Sequence, residues 1–264
     1  MFKSIILPQT TDKTLHVGIL SAMPEEVGVI LENLKDVKKT SFGDLELFSG
    51  EFQNNNSKKI YITTAWSGWG KVSAARATTR LLSIIYKNIP ISLVLFTGVA
   101  GAVDKKLKQW DIVISESVIQ HDIDARPLFE KYVIPAIKKK EIFTNKILLD
   151  KIFDSISGES RQNNLNSFGR IYKGLIATGD MFISEKKKII QLSKDISGLL
   201  AVEMEGASFA QVAHQEKIEW IIIRVISDDG DEKAGDDFNN FLIKYKNQSF
   251  ELIKSFLNSI TDKN

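Results

Sequence analysis

Short apolar runs alternate with amphipathic stretches along almost the whole chain, and no other feature limits the possible folds as strongly. An apolar run of strand length followed by an amphipathic stretch is typical of a βα-type sheet, in which helices cover the strands. The chain of 264 residues is long enough for one large α/β unit with a well-buried core. We therefore predict an α/β fold built on a central sheet.

The predicted elements follow from this alternation and from local turn and helix-start signals. Strands are predicted at residues 17–22, 44–52, 58–65, 91–97, 111–120, 173–178 and 220–227. Helices are predicted near Pro24, which suits a first helical turn, and at residues 72–86, 148–156, 185–192, 207–215 and 238–260. The second and third strands are expected to form a hairpin whose turn is residues 53–57.

No internal repeat and no linker rich in Pro, Gly or Ser divides the chain, so residues 15–264 are predicted to form one domain. Residues 1–14 contain an apolar run that is too short for the core of a signal peptide, and we expect a loose extension there. The segment 121–140 is the least regular part of the chain. Connections of that length are often functional.

Composition excludes several classes of function. The absence of cysteine excludes disulfides, thiolate catalysis and zinc-thiolate sites, and the three widely spaced histidines argue against a metal site. A formal net charge of +2 gives no global attraction to nucleic acid or to an anionic membrane. No apolar run approaches the roughly 20 residues needed to cross a bilayer. We expect no cofactor and a cytoplasmic location, with export after removal of a signal peptide as the alternative.

The stretches 22–26, 202–206 and 224–228 each put carboxylates directly at one end of an apolar run. Ligands of parallel α/β sheets bind where strands pass into loops or helices. Charges beside core strands are costly to desolvate, so several of them need a reason. These three stretches therefore contain the candidate functional residues.

Arg224 lies inside the last apolar run. A buried guanidinium needs a carboxylate partner, because removing one member of such a pair costs about 3–5 kcal/mol. Glu203 is the predicted partner. A purely structural ion pair and a direct ligand contact remain equally consistent with Arg224. Asp228, taken alone, is best interpreted as a helix or turn cap.

Glu203 and Glu205 are two residues apart, so they point the same way in an extended segment. A carboxylate that accepts two hydrogen bonds matches vicinal ribose hydroxyls. The simpler interpretation is that the pair begins a helix and complements its dipole, which does not account for Met204 between them. Glu26 also has two interpretations: favourable placement in a first helical turn, or a general base facing the ligand crevice.

Two glycine-rich segments, residues 67–71 and 97–101, occur where glycine would let the backbone approach a ligand closely. Neither is a Walker or dinucleotide fingerprint. Residues 179–183 follow another strand and offer an aromatic face for a base or, equally, a satellite core cluster. The lysine runs 138–140 and 186–188 are expected to be solvated faces.

Six motifs are spread over nearly the whole chain. They are Gly-Ile-Leu-Ser-Ala-Met-Pro-Glu-Glu (18–26), Ser-Gly-Trp-Gly-Lys (67–71), Thr-Gly-Val-Ala-Gly (97–101), Gly-Asp-Met-Phe-Ile (179–183), Val-Glu-Met-Glu-Gly-Ala (202–207) and Arg-Val-Ile-Ser-Asp (224–228). Together they resemble the methylthioadenosine/S-adenosylhomocysteine nucleosidases of the nucleoside phosphorylase superfamily. The last two motifs, at their separation, are specific to the superfamily, and Met-Pro-Glu-Glu points to the nucleosidase branch.

The resemblance implies a three-layer sandwich with a central mixed, twisted β-sheet flanked by helices. It implies hydrolysis of the N-glycosidic bond of methylthioadenosine, S-adenosylhomocysteine and 5′-deoxyadenosine, with release of adenine. Glu26 resembles the base that activates water, Asp228 the acid that assists purine departure through N7, and Glu205 the acceptor of ribose hydroxyls. Purine-pocket positions are matched by Phe182, Ile183 and Met204, and positions around the ribose and its 5′ substituent by Met23, Trp69 and Phe238. The other predicted binding residues are Ala100, Gly101, Glu203, Arg224 and Ser227.

Residues 121–124 resemble the segment that reaches the neighbouring subunit's pocket in family dimers, which predicts a homodimer. The sequence departs from the family at Val99, where relatives often carry Ser, and at Trp69, where a smaller aliphatic residue is common. Both departures bear on substrate preference more than on reaction type.

The main alternative is a phosphate-dependent nucleoside phosphorylase on the same fold. Phosphorolysis needs a cationic cradle, for which Arg is the usual choice, and neither residues 17–27 nor residues 93–103 contain Arg or Lys. From another class, the lysine-rich surface would suit a protein that binds a polyanion such as a sulfated polysaccharide, with or without catalysis.

Overall fold

A mixed sheet of ten strands, counted over the described residues, runs through the middle of the protein. The computed structural model describes residues 14–54, 58–162, 164–228 and 234–261, with the backbone alone for 234–238. The strands are β1 Leu15–Ser21, β2 Lys35–Phe42, β3 Leu45–Gln53, β4 Lys59–Trp66, β5 Ile85–Tyr86, β6 Ile89–Pro90, β7 Leu93–Ala102, β8 Ile112–Gln120, β9 Glu141–Phe143, β10 Ile171–Thr178, β11 Leu199–Glu203 and β12 Glu219–Asp228. The helices are α1 Lys71–Leu82, α2 Lys146–Arg161, α3 Lys186–Asp195, α4 Gly206–Gln215, α5 Ala234–Tyr245 and α6 Ser249–Thr261.

Nine strands of the sheet follow the order β11-β10-β8-β12-β7-β1-β4-β3-β2, while β9 pairs with β8 and the short β5 and β6 pair with each other. β1 pairs in parallel with β4 and with β7, and β7 pairs in parallel with β12. The carboxyl ends of these central strands therefore meet at one edge of the sheet.

Helices cover both faces of the sheet because side chains of the central strands alternate between two apolar clusters. On β12, Ile221 and Ile223 pack in one cluster with side chains of α2 and α6. Ile222 and Ile226 pack in the other cluster with side chains of α1 and α4. Successive strand residues point to opposite faces, so a strand covered on both sides is a continuous apolar run. The predicted three-layer sandwich with a central mixed, twisted sheet is confirmed.

One half of the sheet closes on itself. The strands β7, β12, β8, β10 and β11 pair in turn, and β11 then returns to β7 in antiparallel pairing. The register joins Ala201 to Ala102 and Val202 to Gly101. This closure brings Glu203, at the end of β11, beside the carboxyl ends of β7 and β12.

Three predicted helices were wrong in extent. The helix predicted at 148–156 runs from Lys146 to Arg161, because Asn145 caps its first turn two residues earlier than predicted. The helix predicted at 72–86 ends at Leu82, because Lys87 and Asn88 adopt positive φ and turn the chain into the β5–β6 hairpin. The helix predicted at 238–260 is two helices, and Ser249 at the break donates a hydrogen bond to the Glu25 carbonyl oxygen.

The strand β2 was not predicted, because it lies at the edge of the sheet with mostly exposed side chains and shows no apolar face. The predicted hairpin of β3 and β4 is confirmed. Of the predicted extension at residues 1–14, residues 1–13 lie outside the described residues. No helix within the described ranges is long and apolar enough to span a membrane.

Candidate active site

A cavity opens at the edge of the sheet where β1, β7, β11 and β12 end, the place at which ligands of such sheets bind. Its volume, including the open mouth, is about 560 Å³. It is lined by Ala22, Met23, Glu26, Trp69, Val99, Ala100, Gly101, Met181, Phe182, Ile183, Val202, Glu203, Met204, Glu205, Ser227 and Asp228. Acidic side chains thus share this cavity with a largely apolar wall.

Arg224 joins the acidic residues from behind the cavity wall. The side chain is 1% exposed. Its Nη2 contacts Glu203 and lies 3.3 Å from Oε2 of Glu205, and its Nη1 lies 3.9 Å from Oε1 of Glu26. The predicted pairing of Arg224 with Glu203 is confirmed. Arg224 is absent from the residues that line the cavity, so its contacts favour the structural interpretation over direct contact with a ligand.

Glu203 is fully engaged with its surroundings. Its Oε2 accepts hydrogen bonds from the backbone N–H groups of Glu205 (3.0 Å) and Gly206 (2.8 Å), and its Oε1 accepts one from Thr178 Oγ1. These amides belong to the first turn of α4, where unpaired N–H groups favour a carboxylate. Glu203 therefore anchors both Arg224 and the beginning of α4.

Glu26 is held by backbone amides from two elements. Oε2 accepts from the N–H groups of Ala22 (2.8 Å) and Met23 (2.9 Å), because the 3₁₀ turn Pro24–Glu26 folds the side chain back over the end of β1. Oε1 accepts from the N–H of Val99 on β7 at 3.0 Å. Burial raises the pKa of Glu26, while Arg224 and these amides oppose that shift without cancelling it.

Gly98 leaves the room that this arrangement needs. A Cβ atom at Gly98 would lie 2.3 Å from Oε1 of Glu26 and 2.4 Å from Nη1 of Arg224. Side chains at this position of β7 are therefore excluded by the two charged groups. The glycine-rich segment 97–101 was predicted to let the backbone approach a ligand closely. At Gly98 the backbone instead approaches the side chains of Glu26 and Arg224 closely.

Glu205 lies between Arg224 and the loop that precedes α1. It accepts a hydrogen bond from the N–H of Gly70 at 2.8 Å. Burial raises the pKa of Glu205 to about 8; the charge of Arg224 lowers it and the charge of Glu203 raises it. Glu26 and Glu205, which share the guanidinium of Arg224 with Glu203, therefore both have pKa values above that of an exposed carboxyl group.

Asp228 ends β12 on another wall of the cavity. It is buried, and its Oδ2 accepts a hydrogen bond from Ser227 Oγ at 2.6 Å. Across the strand pair it lies opposite Gly101, where a Cβ atom would be 3.2 Å from Oδ1. Asp228 is thus positioned by β7 and β12, whereas Glu26 is positioned by β1 and β7.

Apolar side chains surround the mouth of the cavity. Trp69, Met181 and Phe182 line it and are 49%, 42% and 42% exposed. The two loops that carry them are tied together by Asp180, whose Oδ1 accepts a hydrogen bond from the N–H of Lys71 at 2.7 Å. The walls near the mouth therefore depend on a contact between segments that are distant in sequence.

The model of the phosphorylase superfamily matches residues 16–258. The chain belongs to the phosphorylase superfamily. A 5′-methylthioadenosine/S-adenosylhomocysteine nucleosidase from Haemophilus influenzae (strain 86-028NP) is 33% identical over 248 residues, which cover 94% of this chain and all of the relative. The predicted resemblance to these nucleosidases is confirmed.

Solved structures of this phosphorylase superfamily fold match over nearly their full length. The nucleosidase of that name from Neisseria meningitidis, in complex with methylthio-immucillin-A, has a TM-score of 0.80 at 29% identity and covers 92% of this chain and 99% of its own. Futalosine hydrolase of Helicobacter pylori strain 26695 has a TM-score of 0.79 at 30% identity, with 93% and 98% covered. Two kinds of hydrolase thus share this architecture.

The phosphorylase superfamily motifs bring most of the predicted binding residues to the cavity wall. Of the predicted set, Arg224 lies behind the wall, and the side chain of Phe238 lies outside the described residues; the others line the cavity. Sequence reasoning missed Ala22, Met181 and Val202 as lining residues, although each neighbours a predicted one. It also missed the steric role of Gly98, because that role depends on side chains from other strands.

Proposed function

We propose that this protein hydrolyses the N-glycosidic bond of 5′-methylthioadenosine and S-adenosylhomocysteine, and of 5′-deoxyadenosine, releasing adenine and the 5-substituted ribose. The observation that carries this proposal is that Glu26 and Asp228 reach one cavity from separate walls. The names of the similar nucleosidases support the same substrates.

Cleavage of an N-glycosidic bond develops positive charge on the sugar and negative charge on the departing purine. An acid at the base and a base that activates water at the anomeric carbon address these two charges separately. We assign the first task to Asp228, which would deliver a proton to purine N7, and the second to Glu26. A carboxylate with a raised pKa, like that of Glu26, is a stronger base than an exposed one.

Substrate binding is assigned to the remaining lining residues. Glu205, beside Arg224 and Gly70, would accept hydrogen bonds from the ribose hydroxyls. The purine would lie against Phe182 and Met204, with the backbone of Ile183 at its edge. Met23 and Trp69 would surround the 5′ substituent, whose thioether suits an apolar pocket with aromatic and sulfur-containing walls.

Water is favoured over phosphate as the nucleophile. Among the described residues that line the cavity, none is Lys or Arg, and phosphorolysis requires such a cationic cradle. Arg224, the nearest cation, is engaged with Glu203 and Glu205. Futalosine is a further candidate substrate because the similarity to futalosine hydrolase is as close as that to the Neisseria nucleosidase.

The deciding experiment measures adenine release from methylthioadenosine, S-adenosylhomocysteine and 5′-deoxyadenosine, with and without phosphate. Base release from futalosine is measured alongside. We expect release from the thioether nucleosides at rates independent of phosphate, with free sugar as the second product. Formation of a sugar 1-phosphate would instead make the protein a phosphorylase, and turnover of futalosine alone would reassign its substrate.

The two catalytic assignments are separated by paired substitutions. Asp228→Asn keeps the size of the side chain but removes the proton for N7, and losing a general acid lowers the rate by about 10²–10⁴-fold. The loss should shrink for a nitrophenyl thioriboside, whose leaving group needs no protonation. Glu26→Gln should slow both substrates, because each still needs an activated water. Equal losses for Asp228→Asn on the two substrates would leave Asp228 as a structural cap.

We also propose that the protein is a homodimer in which residues 121–135 contribute to the partner's pocket. In this segment Leu128 is 84% exposed, an apolar side chain that a partner would cover. Light scattering at the concentration of the activity assay tests this. A fully active monomer at nanomolar concentration would rule the proposal out.

A further inference from the structure

Three buried side-chain atoms near Glu26 have no hydrogen-bond partner within the described part of the chain. They are the hydroxyl oxygen of Tyr245, Oγ1 of Thr97 and Nε of Arg224. Buried polar groups in folded proteins are nearly always hydrogen-bonded, to protein or to internal water. Several unpartnered atoms around one catalytic carboxylate therefore need an explanation.

The Tyr245 ring is fixed by aromatic neighbours at the end of α5. It is fully buried, stacks on Phe241 at 5.5 Å between ring centroids, and meets the edge of Trp110 at 6.3 Å. A phenylalanine would make these same ring contacts without burying a hydroxyl. The ring packing alone therefore gives no reason for tyrosine at this position.

The region around Tyr245 packs directly against the turn that carries Glu26. Ser249 Oγ, just after α5, donates a hydrogen bond to the carbonyl oxygen of Glu25 at 3.1 Å. A Cβ atom at Gly28 would lie 2.7 Å from the carbonyl oxygen of Lys246. The end of α5 and the 3₁₀ turn are thus in contact, which holds Tyr245 close to the buried side of Glu26.

The Tyr245 hydroxyl lies close enough to the Thr97 hydroxyl, one residue before Gly98 on β7, for Thr97 to lower its pKa as a hydrogen-bonding neighbour, yet the two groups do not have the geometry of a direct hydrogen bond. Burial and then the charge of Glu26 raise the pKa of Tyr245, so the phenol is neutral and can donate a hydrogen bond. The hydroxyl of Thr97 and the charge of Arg224 lower the pKa of this phenol, against the larger effect of burial. All four groups therefore belong to one electrostatic environment.

We propose that Tyr245 is a positioning residue for Glu26: its hydroxyl, with Thr97 Oγ1 and Arg224 Nε, holds one internal water on the buried side of the carboxylate. Internal waters are bound by two to four polar partners, a number that these groups supply. Oε1 of Glu26 accepts only the Val99 amide among the hydrogen bonds described above, so it has a lone pair for the water. Donation through the water stabilises the ionised form of Glu26.

This inference rests on the proposed role of Glu26 as the general base, and it predicts a shift in pH dependence. The charged groups that face Glu26 are Arg224 from β12 and, beyond it, Glu203 and Glu205. Tyr245→Phe leaves all of these in place and removes only the donor. The Glu26 pKa then rises, and because the base must be ionised, the acidic limb of the kcat/KM profile moves to higher pH. A shift of about one pH unit is expected for the loss of one hydrogen bond to a charge.

The experiment compares pH profiles of adenine release for the wild type, Tyr245→Phe and Thr97→Val, with Tyr86→Phe as the control. Tyr86 is also a buried tyrosine, but its hydroxyl donates to the carbonyl oxygen of Asp36, away from the cavity. Both site variants should shift the acidic limb upward with little change in KM, whereas the control should lose stability without a shift. An unshifted limb in Tyr245→Phe would overturn the inference.

A crystal structure gives a readout that does not depend on activity or on the folding of a variant. We expect an ordered water within hydrogen-bond distance of the Tyr245 and Thr97 hydroxyls. A direct hydrogen bond between these hydroxyls, with no water, would also overturn the inference. If the wild-type protein releases no adenine, the proposed function fails. That outcome differs from one in which Tyr245→Phe is active with an acidic limb at the same pH as the wild type, which would overturn only the inference about Tyr245.

Discussion

Replacing Gly98 with alanine should nearly abolish activity by displacing Glu26. The added Cβ would lie 2.3 Å from Oε1 of Glu26 and 2.4 Å from Nη1 of Arg224, whereas ordinary contacts begin at 3.4 Å. Neither atom can withdraw freely, because Glu26 is held by three backbone amides and Arg224 is paired with Glu203. The carboxylate must therefore move by about 1 Å or lose its amide contacts.

A displacement of about 1 Å in a catalytic group can cost about 10²-fold in rate, which corresponds to ~2.7 kcal/mol in the activation barrier. The loss should appear in kcat. KM should change little, because Phe182, Ile183 and Met204, the proposed purine contacts, lie on other segments. Overpacking of this kind also lowers the free energy of unfolding by about 1–3 kcal/mol.

The assay measures kcat and KM for adenine release from methylthioadenosine, together with the urea midpoint. Gly158→Ala is the matched control, because Gly158 lies in α2 with no heavy atom within 4 Å of an added Cβ. This control should gain about 0.5–1 kcal/mol in stability with unchanged kinetics. Full activity in Gly98→Ala would show that the observed position of Glu26 does not control the rate.

Three other perturbations test the cavity. Trp69→Ile should widen the pocket and raise kcat/KM for S-adenosylhomocysteine relative to methylthioadenosine; an unchanged ratio would mean that Trp69 does not contact the 5′ substituent. Asp180→Ala removes the acceptor for the Lys71 amide next to Gly70, so KM should rise several-fold. The melting temperature should also fall, consistent with a loss of about 1 kcal/mol in the free energy of unfolding for a lost cap. An unchanged KM would show that the walls near the cavity mouth keep their positions without this hydrogen bond. The raised pKa of Glu205 means that its protonated form stabilises the fold fully below pH 4.5 and that this stabilisation is lost as the pH rises to about 8. Glu205→Gln should flatten this decline in urea midpoints, and a slope like that of the wild type would contradict the shift.

The strands could be predicted where burial on both faces makes the sequence continuously apolar, as along β12. The pairing of Arg224 with Glu203 could be predicted for a related reason: a guanidinium inside an apolar run requires a carboxylate. Residues at strand ends were also accessible to sequence reasoning, because the ligand edge of such sheets is fixed by topology. Features that follow from the composition of a single strand, or from the residues at its end, could therefore be predicted from the sequence.

Features created by contacts between distant segments could not be predicted. The break between α5 and α6 coincides with the contact of Ser249 with Glu25, and nothing in the local sequence marks it. The steric demand on Gly98 comes from side chains of the first turn and of β12. The surroundings of Tyr245 combine α5, β7 and β12 in the same way. Hydrophobic periodicity predicts which face of a helix or strand is buried, but it does not predict which residues that face contacts.

Because β11 returns to pair with β7, the cavity cannot form during synthesis until β11 has been made. Ala102 cannot pair until Ala201 has been synthesised. Glu26 likewise lacks its cationic neighbour until Arg224 has been synthesised. Such long-range pairings are slow to form. A nascent chain that has not yet produced β12 leaves an edge of β7 unpaired, and an unpaired edge promotes self-association. Because the closure that assembles the acidic cluster also covers this edge, we expect ribosome-bound chains that lack β12 to aggregate more readily than the complete protein.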